Sequence, residues 1–438
     1  MLTISPSHQP FHREMTVPGD KSISHRSIML GALADGVTEI TGFLNSADCL
    51  STMACFRALG VDIEETKDRI LVHGKGLHGL RAPSVVLDAG NSGTTTRLMA
   101  GILAAQSFDS TLTGDDSIKK RPMKRVIDPL RAMGADISGA AGNDCAPLVI
   151  HGRSLQGTDW MSPQASAQVK SCILLAALCA GVPASVTEPA LSRDHSERML
   201  RAFGAEVTGA VHADGSATAK IPAGCRLLSP GRIEVPGDIS SAAFFLAAAL
   251  MIPGSEILIR HVGINPTRAG ILTVLRRMGA LVTEENRDDS LEPCADLRVR
   301  YSRLSPKDTD EHGNFVIGGG LIPALIDELP VIAVLATQLP CRTLIKDARE
   351  LRVKESDRIA VMTENLKRMG ARIEGTEDGF IIEGGVPLHG AEIDPHLDHR
   401  IAMSLAVAAL SAEGDTVIRD DDCVRISYPT FFRELLAL

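Results

Sequence analysis

Two kinds of apolar pattern take turns along the chain. One has period two, as in Val61-Asp62-Ile63-Glu64 followed by Ile70-Leu71-Val72-His73, and predicts a hairpin. The other is an unbroken run of apolar and small residues, as in Ile173 to Val182 and Ser241 to Ile252, and predicts a helix buried on all sides. Amphipathic stretches lie between them and end in a recurring phrase: Ala58-Leu59-Gly60-Val61, Arg131-Ala132-Met133-Gly134-Ala135, Arg201-Ala202-Phe203-Gly204-Ala205, Arg276-Arg277-Met278-Gly279-Ala280 and Lys367-Arg368-Met369-Gly370-Ala371. The glycines are 74, 70, 75 and 91 residues apart. Each phrase predicts a helix, most with a cation in the last turn, stopped by a left-handed glycine and followed by a strand.

A second repeat runs between these phrases: an extended segment, a turn, then a helix rich in small residues. Its copies start near Ser22, Ser92, Ser166, Ser240, Asp327 and Asp398, at spacings of 70, 74, 74, 87 and 71. The lead-in Val-Pro-Gly-Asp at Val17 to Asp20 returns at Val235 to Asp238, 218 residues or three units later. Six α/β units in two sets of three account for these spacings. Each unit reads strand, helix, strand, helix, hairpin, with Ala-rich helices inside and Arg-bearing helices toward water. The sixth copy has a second helix, roughly Tyr428 to Leu436, but no hairpin after it, while Leu2 to Ser5 is an unassigned extended piece. Residues before about Val17 are therefore expected to complete the last unit. The expected domains are 18–234 and 1–17 plus 235–438, with the active site in the cleft between them.

Composition narrows the function more than the fold. Of 438 residues 44% are hydrophobic, enough for more than one core, and one Trp, two Tyr and eleven Phe beside 39 Gly leave those cores to Ala, Leu, Ile, Val and Met. A net charge of −9 without a basic arm argues against a nucleic-acid partner. The apolar runs are too short to span a bilayer, and Met1 to Met15 has no apolar run behind a basic start, so a cytoplasmic protein with no membrane partner is expected. The nine cysteines include no C-x-x-C pair, and Cys172 and Cys179 lie seven apart on one apolar helix, so reduced structural thiols are expected rather than a metal or redox site. With no exposed apolar helix stripe, a monomer is expected.

Unusual chemistry gathers at the helix starts. Lys21, Ser22 and Arg26 open the first inner helix, Asn91, Ser92, Gly93, Thr94 and Arg97 the second, Ser166, Gln168 and Lys170 the third, and Asp398, His399 and Arg400 the sixth. Ser and Asp there are ordinary caps. An Arg or Lys in a first turn opposes the helix dipole unless an anion sits nearby, and several such cations at equivalent positions point to small phosphorylated anions. Gly93 also allows a ligand to approach backbone N–H groups closely. His25 and His399 read as structural partners. Carboxylates join at Ile326-Asp327-Glu328 and in the charged stretch Leu351 to Arg358, and cations at Arg121-Pro122, read as a helix entry, and at Arg193-Asp194-His195.

Taken together, Lys21-Ser22-Ile23-Ser24-His25-Arg26, Gly90-Asn91-Ser92-Gly93-Thr94, Arg121-Pro122-Met123, Ser166-Ala167-Gln168-Val169-Lys170, Arg193-Asp194-His195, Ile326-Asp327-Glu328, Lys354-Glu355-Ser356-Asp357-Arg358 and Asp398-His399-Arg400 closely resemble the 5-enolpyruvylshikimate-3-phosphate (EPSP) synthase family, collinearly from about Val17 onward. The resemblance implies the enolpyruvyl transferase fold, an inside-out α/β barrel of two domains each with three βαβαββ repeats. It implies transfer of the enolpyruvyl group of phosphoenolpyruvate to shikimate 3-phosphate, with no metal or organic cofactor. By position, Lys21, Ser22, Arg26, Ser166, Ala167, Gln168, Arg193, Asp327 and Lys354 are expected to contact shikimate 3-phosphate. Lys21, Gly93, Arg121, Gln168, Arg358 and Arg400 are expected to hold phosphoenolpyruvate. Asp327 is the expected base for the 5-hydroxyl, and Glu355 or Lys21 the proton donor to the methylene. Ala167 in place of a second Ser, and Ile426-Ser427-Tyr428-Pro429 without the Lys that many relatives carry there, resemble the class II branch. Gly93 is not the Ala of some glyphosate-tolerant members and leaves room for glyphosate beside the phosphoenolpyruvate site. The sister transferase acting on UDP-N-acetylglucosamine usually has a reactive Cys before its Arg-Pro phrase, and Leu112 to Lys120 contains none. A non-catalytic repeat scaffold would explain the six units but not the charged first turns.

Overall fold

The computed structural model describes residues 1–438 except His8 and Asn143, and the chain forms two units, Met1–Pro18 with Pro236–Leu438, and Gly19–Val235. Among the described residues there are twelve α-helices: α1 (Lys21–Leu33), α2 (Ala47–Ala58), α3 (Gly93–Ala104), α4 (Lys124–Ala132), α5 (Ala167–Ala180), α6 (His195–Ala202), α7 (Ile239–Met251), α8 (Gly270–Arg277), α9 (Leu329–Ala336), α10 (Arg358–Arg368), α11 (His399–Ala409) and α12 (Phe431–Leu435). The odd-numbered helices are the inner ones, apolar or small along most of their length after polar first turns in α1, α3, α5 and α11, and α7 and α9 bury every residue. The even-numbered helices bury one face; α8 covers Ile271, Leu272, Val274 and Leu275 and leaves Thr273 exposed.

Small residues let the inner helices touch backbone to backbone. A Cβ on Gly101 of α3 would lie 2.2 Å from the carbonyl oxygen of Cys172 on α5, so that crossing requires glycine. The five phrase glycines, Gly60, Gly134, Gly204, Gly279 and Gly370, have φ of 86°, 89°, 89°, 83° and 86°, the left-handed helix stop their repeat predicts. The nine cysteines are free thiols, and burial pushes Cys172 and Cys179 up to about 12, which leaves them unreactive.

Among the described residues there are six sheets, and five share one order: an opening strand, a parallel neighbour, then an antiparallel hairpin. In the second sheet Leu87–Asp88 lies beside Asp109–Thr113, which pairs with Leu148–His151 and then Asp136–Gly139. At two places the opening strand comes from elsewhere in the chain. Arg232–Glu234, which precedes α7, pairs in parallel with Val37–Thr41 of the first sheet. His12–Met15, which precedes α1, pairs in parallel with Glu256–Gly263 of the fourth. In the sixth sheet Leu2–Ile4 lies antiparallel to Thr416–Ile418, in the place a hairpin strand fills in the other five.

Two helix starts differ from the pattern. Arg121 closes a 3-10 turn over Ile118–Lys120, its N–H donating to the Ile118 carbonyl (3.0 Å), and α4 begins at Lys124 rather than at Pro122, with the Met123 N–H donating to the Asp144 carbonyl (2.8 Å). The last helix begins at Phe431 instead of Tyr428, since Pro429 disfavours helical backbone at the residue before it. The Tyr428 ring is buried, its hydroxyl donates to Glu434 (2.6 Å), and Phe431 packs edge-on against Phe244 at 5.5 Å and Phe245 at 5.6 Å. Such edge contacts contribute about 0.5–1.5 kcal/mol each.

Candidate active site

In the unit Gly19–Val235, three inner helices begin with polar first turns. Asp20 caps α1 by accepting from the Ile23 N–H, and Ser92 caps α3 by accepting from the Thr95 N–H. Arg26 is buried, and its guanidinium reaches Ser196 (2.7 Å) and Ser171 (3.0 Å) and returns to the Ser22 carbonyl (3.0 Å), which ties α1 to α5 and α6. Lys21 forms an ion pair with the buried Asp48 of α2. The starts of α3 and α5 meet at Gln168, whose carbonyl oxygen accepts from Arg97 (2.7 Å) and whose amide donates to Thr94 (3.1 Å). Arg121 donates to Asn91 Oδ1 (2.9 Å) and Ser117 (3.0 Å). A Cβ at Gly93 would lie 2.7 Å from Arg97 Nη1 and 3.4 Å from Arg121 Nη1, so two guanidinium groups converge on the glycine that opens α3.

Behind this surface a buried chain of hydroxyls joins the helices: His25 Nδ1 to Thr52 (2.7 Å), Thr52 to Thr95 (2.7 Å) and Thr95 to Ser92 (2.7 Å). Burial lowers His25 to about 3, which keeps the ring neutral and structural. Ser166 presents its N–H to Glu188 (2.6 Å), and Lys170, one turn later, is buried between Glu197 (2.7 Å) and Glu188 (3.1 Å). Lys170 therefore faces acids of its own unit, as Lys21 faces Asp48, but it is held by two of them and is 2% exposed. Ala167 contributes its carbonyl to the Ser171 hydroxyl (2.6 Å), and Arg193 is half-buried on the segment that leads into α6.

In the other unit, the groups from three separate segments form one network. The buried Arg358 donates through Nε to Asp398 (2.8 Å) and through Nη2 to Glu355 (2.6 Å), and its Nη1 stands 3.5 Å from Asp327. Lys354 lies 3.8 Å and Arg400 4.0 Å from the same Asp327 carboxylate. Three cations from two segments thus surround one half-buried acid. Asp398 accepts from the Arg400 N–H (3.0 Å) as the cap of α11. Burial pushes the Asp398 carboxyl up, but Arg358 beside it outweighs that and holds it below the usual carboxylate value. His399 is lowered to about 4, chiefly by burial.

Asp327 and Glu328 are adjacent and chemically alike, yet they part company. Glu328 is wholly buried against Arg268 (2.7 Å) and Ser240, and Arg268 also reaches Asp238 (3.1 Å), the cap of α7. Arg268 was not singled out by its spacing, and Arg97 carried no assigned contact. The signal for Arg97 is its place in a first turn beside Gly93; Arg268, in a loop ahead of α8, offers none.

The family model for EPSP synthase (3-phosphoshikimate 1-carboxyvinyltransferase) matches residues 7–435. The chain belongs to the EPSP synthase family. It is 54% identical to a 3-phosphoshikimate 1-carboxyvinyltransferase from Synechococcus sp., over all of this chain and 96% of that one. It is 51% identical to one from Bacillus cytotoxicus, over 97% of each. The solved EPSP synthase structure from Acinetobacter baumannii matches with a TM-score of 0.87 and 45% identity, over 99% of this chain and 97% of that one. The α/β fold of repeated units read from the sequence is therefore the EPSP synthase fold, and the chain is an enzyme of that family. Among its described residues no helix is long and apolar enough to cross a membrane.

Proposed function

We propose that this chain transfers the enolpyruvyl group of phosphoenolpyruvate to the 5-hydroxyl of shikimate 3-phosphate and releases phosphate, with both substrates held by the cations of the helix starts. The observation that carries this reading is the pair of polar networks: Arg26, Arg97 and Arg121 donating to uncharged oxygens in one unit, and Lys354, Arg358 and Arg400 grouped around Asp327 in the other. Two polyanionic substrates demand such a concentration of guanidinium and ammonium groups. Shikimate 3-phosphate is assigned to Lys21, Ser22, Arg26, Ser166, Ala167, Gln168, Arg193, Asp327 and Lys354. Phosphoenolpyruvate is assigned to Lys21, Gly93, Arg121, Gln168, Arg358 and Arg400.

In the addition step Asp327 takes the 5-hydroxyl proton as that oxygen bonds to C2 of phosphoenolpyruvate, and an acid delivers a proton to C3. Glu355 fits the donor role better than Lys21, because Arg358 links it to Asp327 while Lys21 is held by Asp48. The tetrahedral intermediate then loses phosphate from C2 and a proton from C3, restoring the double bond. Fixed cations stabilise the charge that develops on the departing phosphate. The enzyme works as a cytoplasmic monomer in this reading. Phosphate release is measured with phosphoenolpyruvate plus shikimate 3-phosphate, and with phosphoenolpyruvate plus UDP-N-acetylglucosamine. Release with the first acceptor alone is expected; release with the nucleotide sugar alone, or with neither, refutes the proposal.

A further inference from the structure

Glu188 ends the strand Ala184–Glu188 and is 1% exposed. Its two carboxylate oxygens divide their work. Oε1 accepts from the Ser166 N–H (2.6 Å), at the turn that opens α5. Oε2 accepts from the Ser192 hydroxyl (2.7 Å), directly before Arg193, and lies 3.1 Å from the Lys170 ammonium. Lys170 in turn reaches Glu197 Oε1 (2.7 Å) in the first turn of α6 and donates to the Ser192 carbonyl (3.4 Å). The Ser166 side chain does not cap its own helix, so the place of this turn depends on the N–H bond to Glu188. Two segments far apart in sequence, one bearing Ser166 and Gln168 and the other Arg193, are thereby pinned to one buried carboxylate.

We infer that Glu188 is a positioning residue for shikimate 3-phosphate: held by Lys170, it sets the relative place of the Ser166 turn and of Arg193. The inference rests on the assignment of Ser166 and Arg193 to that substrate. A neutral core would cost less than three buried charges, and burial of an ammonium is unfavourable. Glu197 and Glu188 nevertheless hold Lys170 above its ordinary value against the opposing effect of burial. A carboxylate is the group that can accept from an N–H, a hydroxyl and an ammonium at once, and each charge-assisted bond is shorter and stiffer than a neutral one.

Glu188→Gln provides the test, because it leaves Lys170 with Glu197 as a neutral buried pair and so should fold. The new amide has one acceptor oxygen where the carboxylate has two, so its NH2 must face either the Ser166 N–H or the Lys170 ammonium, neither of which can accept. Binding of shikimate 3-phosphate is measured by calorimetry without phosphoenolpyruvate, beside steady-state kinetics and the thermal midpoint. Expected is a rise of about tenfold in Kd and KM for shikimate 3-phosphate, the loss of one charge-assisted bond, with KM for phosphoenolpyruvate changing less and kcat nearly kept. Ser192→Ala, which removes one hydroxyl and no charge, should show a smaller change in the same direction. A lower kcat with both KM values unchanged would mean a merely structural role and overturn the inference. Arg193→Ala is the control for the underlying assignment. If it weakens binding while Glu188→Gln and Ser192→Ala do not, positioning is refuted; if it too has no effect, the substrate assignment fails first.

Discussion

Replacing Arg358 tests the densest part of the network. Its guanidinium is 1% exposed and serves three acids, of which Asp398 is fully buried. Arg358→Met keeps the volume and removes the charge, leaving the buried Asp398 carboxylate without its cation. Breaking a buried pair from one side costs about 3–5 kcal/mol. For a unit of roughly 200 residues that corresponds to a drop of about 10 °C in its thermal midpoint. The cost must also depend on pH. In the wild type the folded pKa of Asp398 is depressed, so its contribution is full above the unfolded value near ~3.9 and fades only as pH falls through the folded value. In the variant burial is no longer opposed by the guanidinium and raises that pKa, so the penalty is full at neutral pH and disappears as the pH falls toward ~4 and the carboxyl takes up a proton. Calorimetric scans of both proteins at pH 7 and 5 should show a gap that narrows on acidification. Arg358→Lys should recover much of the midpoint but little of the activity, since an ammonium cannot reproduce the planar fork that separates Asp398, Glu355 and Asp327. A midpoint at pH 7 within about 2 °C of wild type for Arg358→Met, or a gap that widens toward pH 5, would refute this electrostatic account.

Other outcomes follow from individual residues. Asp327→Asn should lower kcat by about 10²–10⁴, the usual contribution of a positioned base, while phosphoenolpyruvate still binds; near-normal turnover would remove Asp327 from the base role. Gly93→Ala should fold normally, because the atom it crowds is the tip of the flexible Arg97, yet raise KM for phosphoenolpyruvate by about tenfold, or about 1.4 kcal/mol; an unchanged KM would show that nothing binds against this turn. His25 and His399, lowered to about 3 and about 4, should show no ring titration by NMR between pH 8 and 5. Because their folded values lie below the unfolded one, they should cost stability as pH drops below about 6.5; an imidazole shift with a midpoint near 6.5 in the folded enzyme would contradict their burial.

The architecture was legible where local physics decides it. A helix turn buried on every side is mostly apolar, so the runs after Lys170 in α5 and along α7 announce themselves, and the stop glycines occupy a backbone region that other residues avoid. The exchange of opening strands was not legible. A parallel pair has no connecting turn to fix its partner, and Arg232–Glu234 carries no mark that sends it to the first sheet and not to the one built after α7. Spacing likewise could not separate Asp327 from Glu328, since the direction in which each leaves the start of α9 is settled by Arg268, far from either in sequence. Lys170 looked like another first-turn cation, and only the fold brings it Glu188 from the end of an ordinary strand. The charged stretch from Lys354 to Arg358 could be read because α10 starts at its last residue and Asp357 is its cap.

The cations at the helix starts are proposed to hold both substrates. A crystal structure of the enzyme with shikimate 3-phosphate and phosphoenolpyruvate tests this most directly. The account predicts the shikimate phosphate on Ser22, Arg26, Ser166 and Arg193, the phosphoenolpyruvate oxygens on Arg121, Arg358 and Arg400, and the 5-hydroxyl within about 3 Å of the Asp327 carboxylate. A ternary complex with phosphoenolpyruvate bound away from Arg358 and Arg400, or with Asp327 out of reach of the 5-hydroxyl, would contradict it.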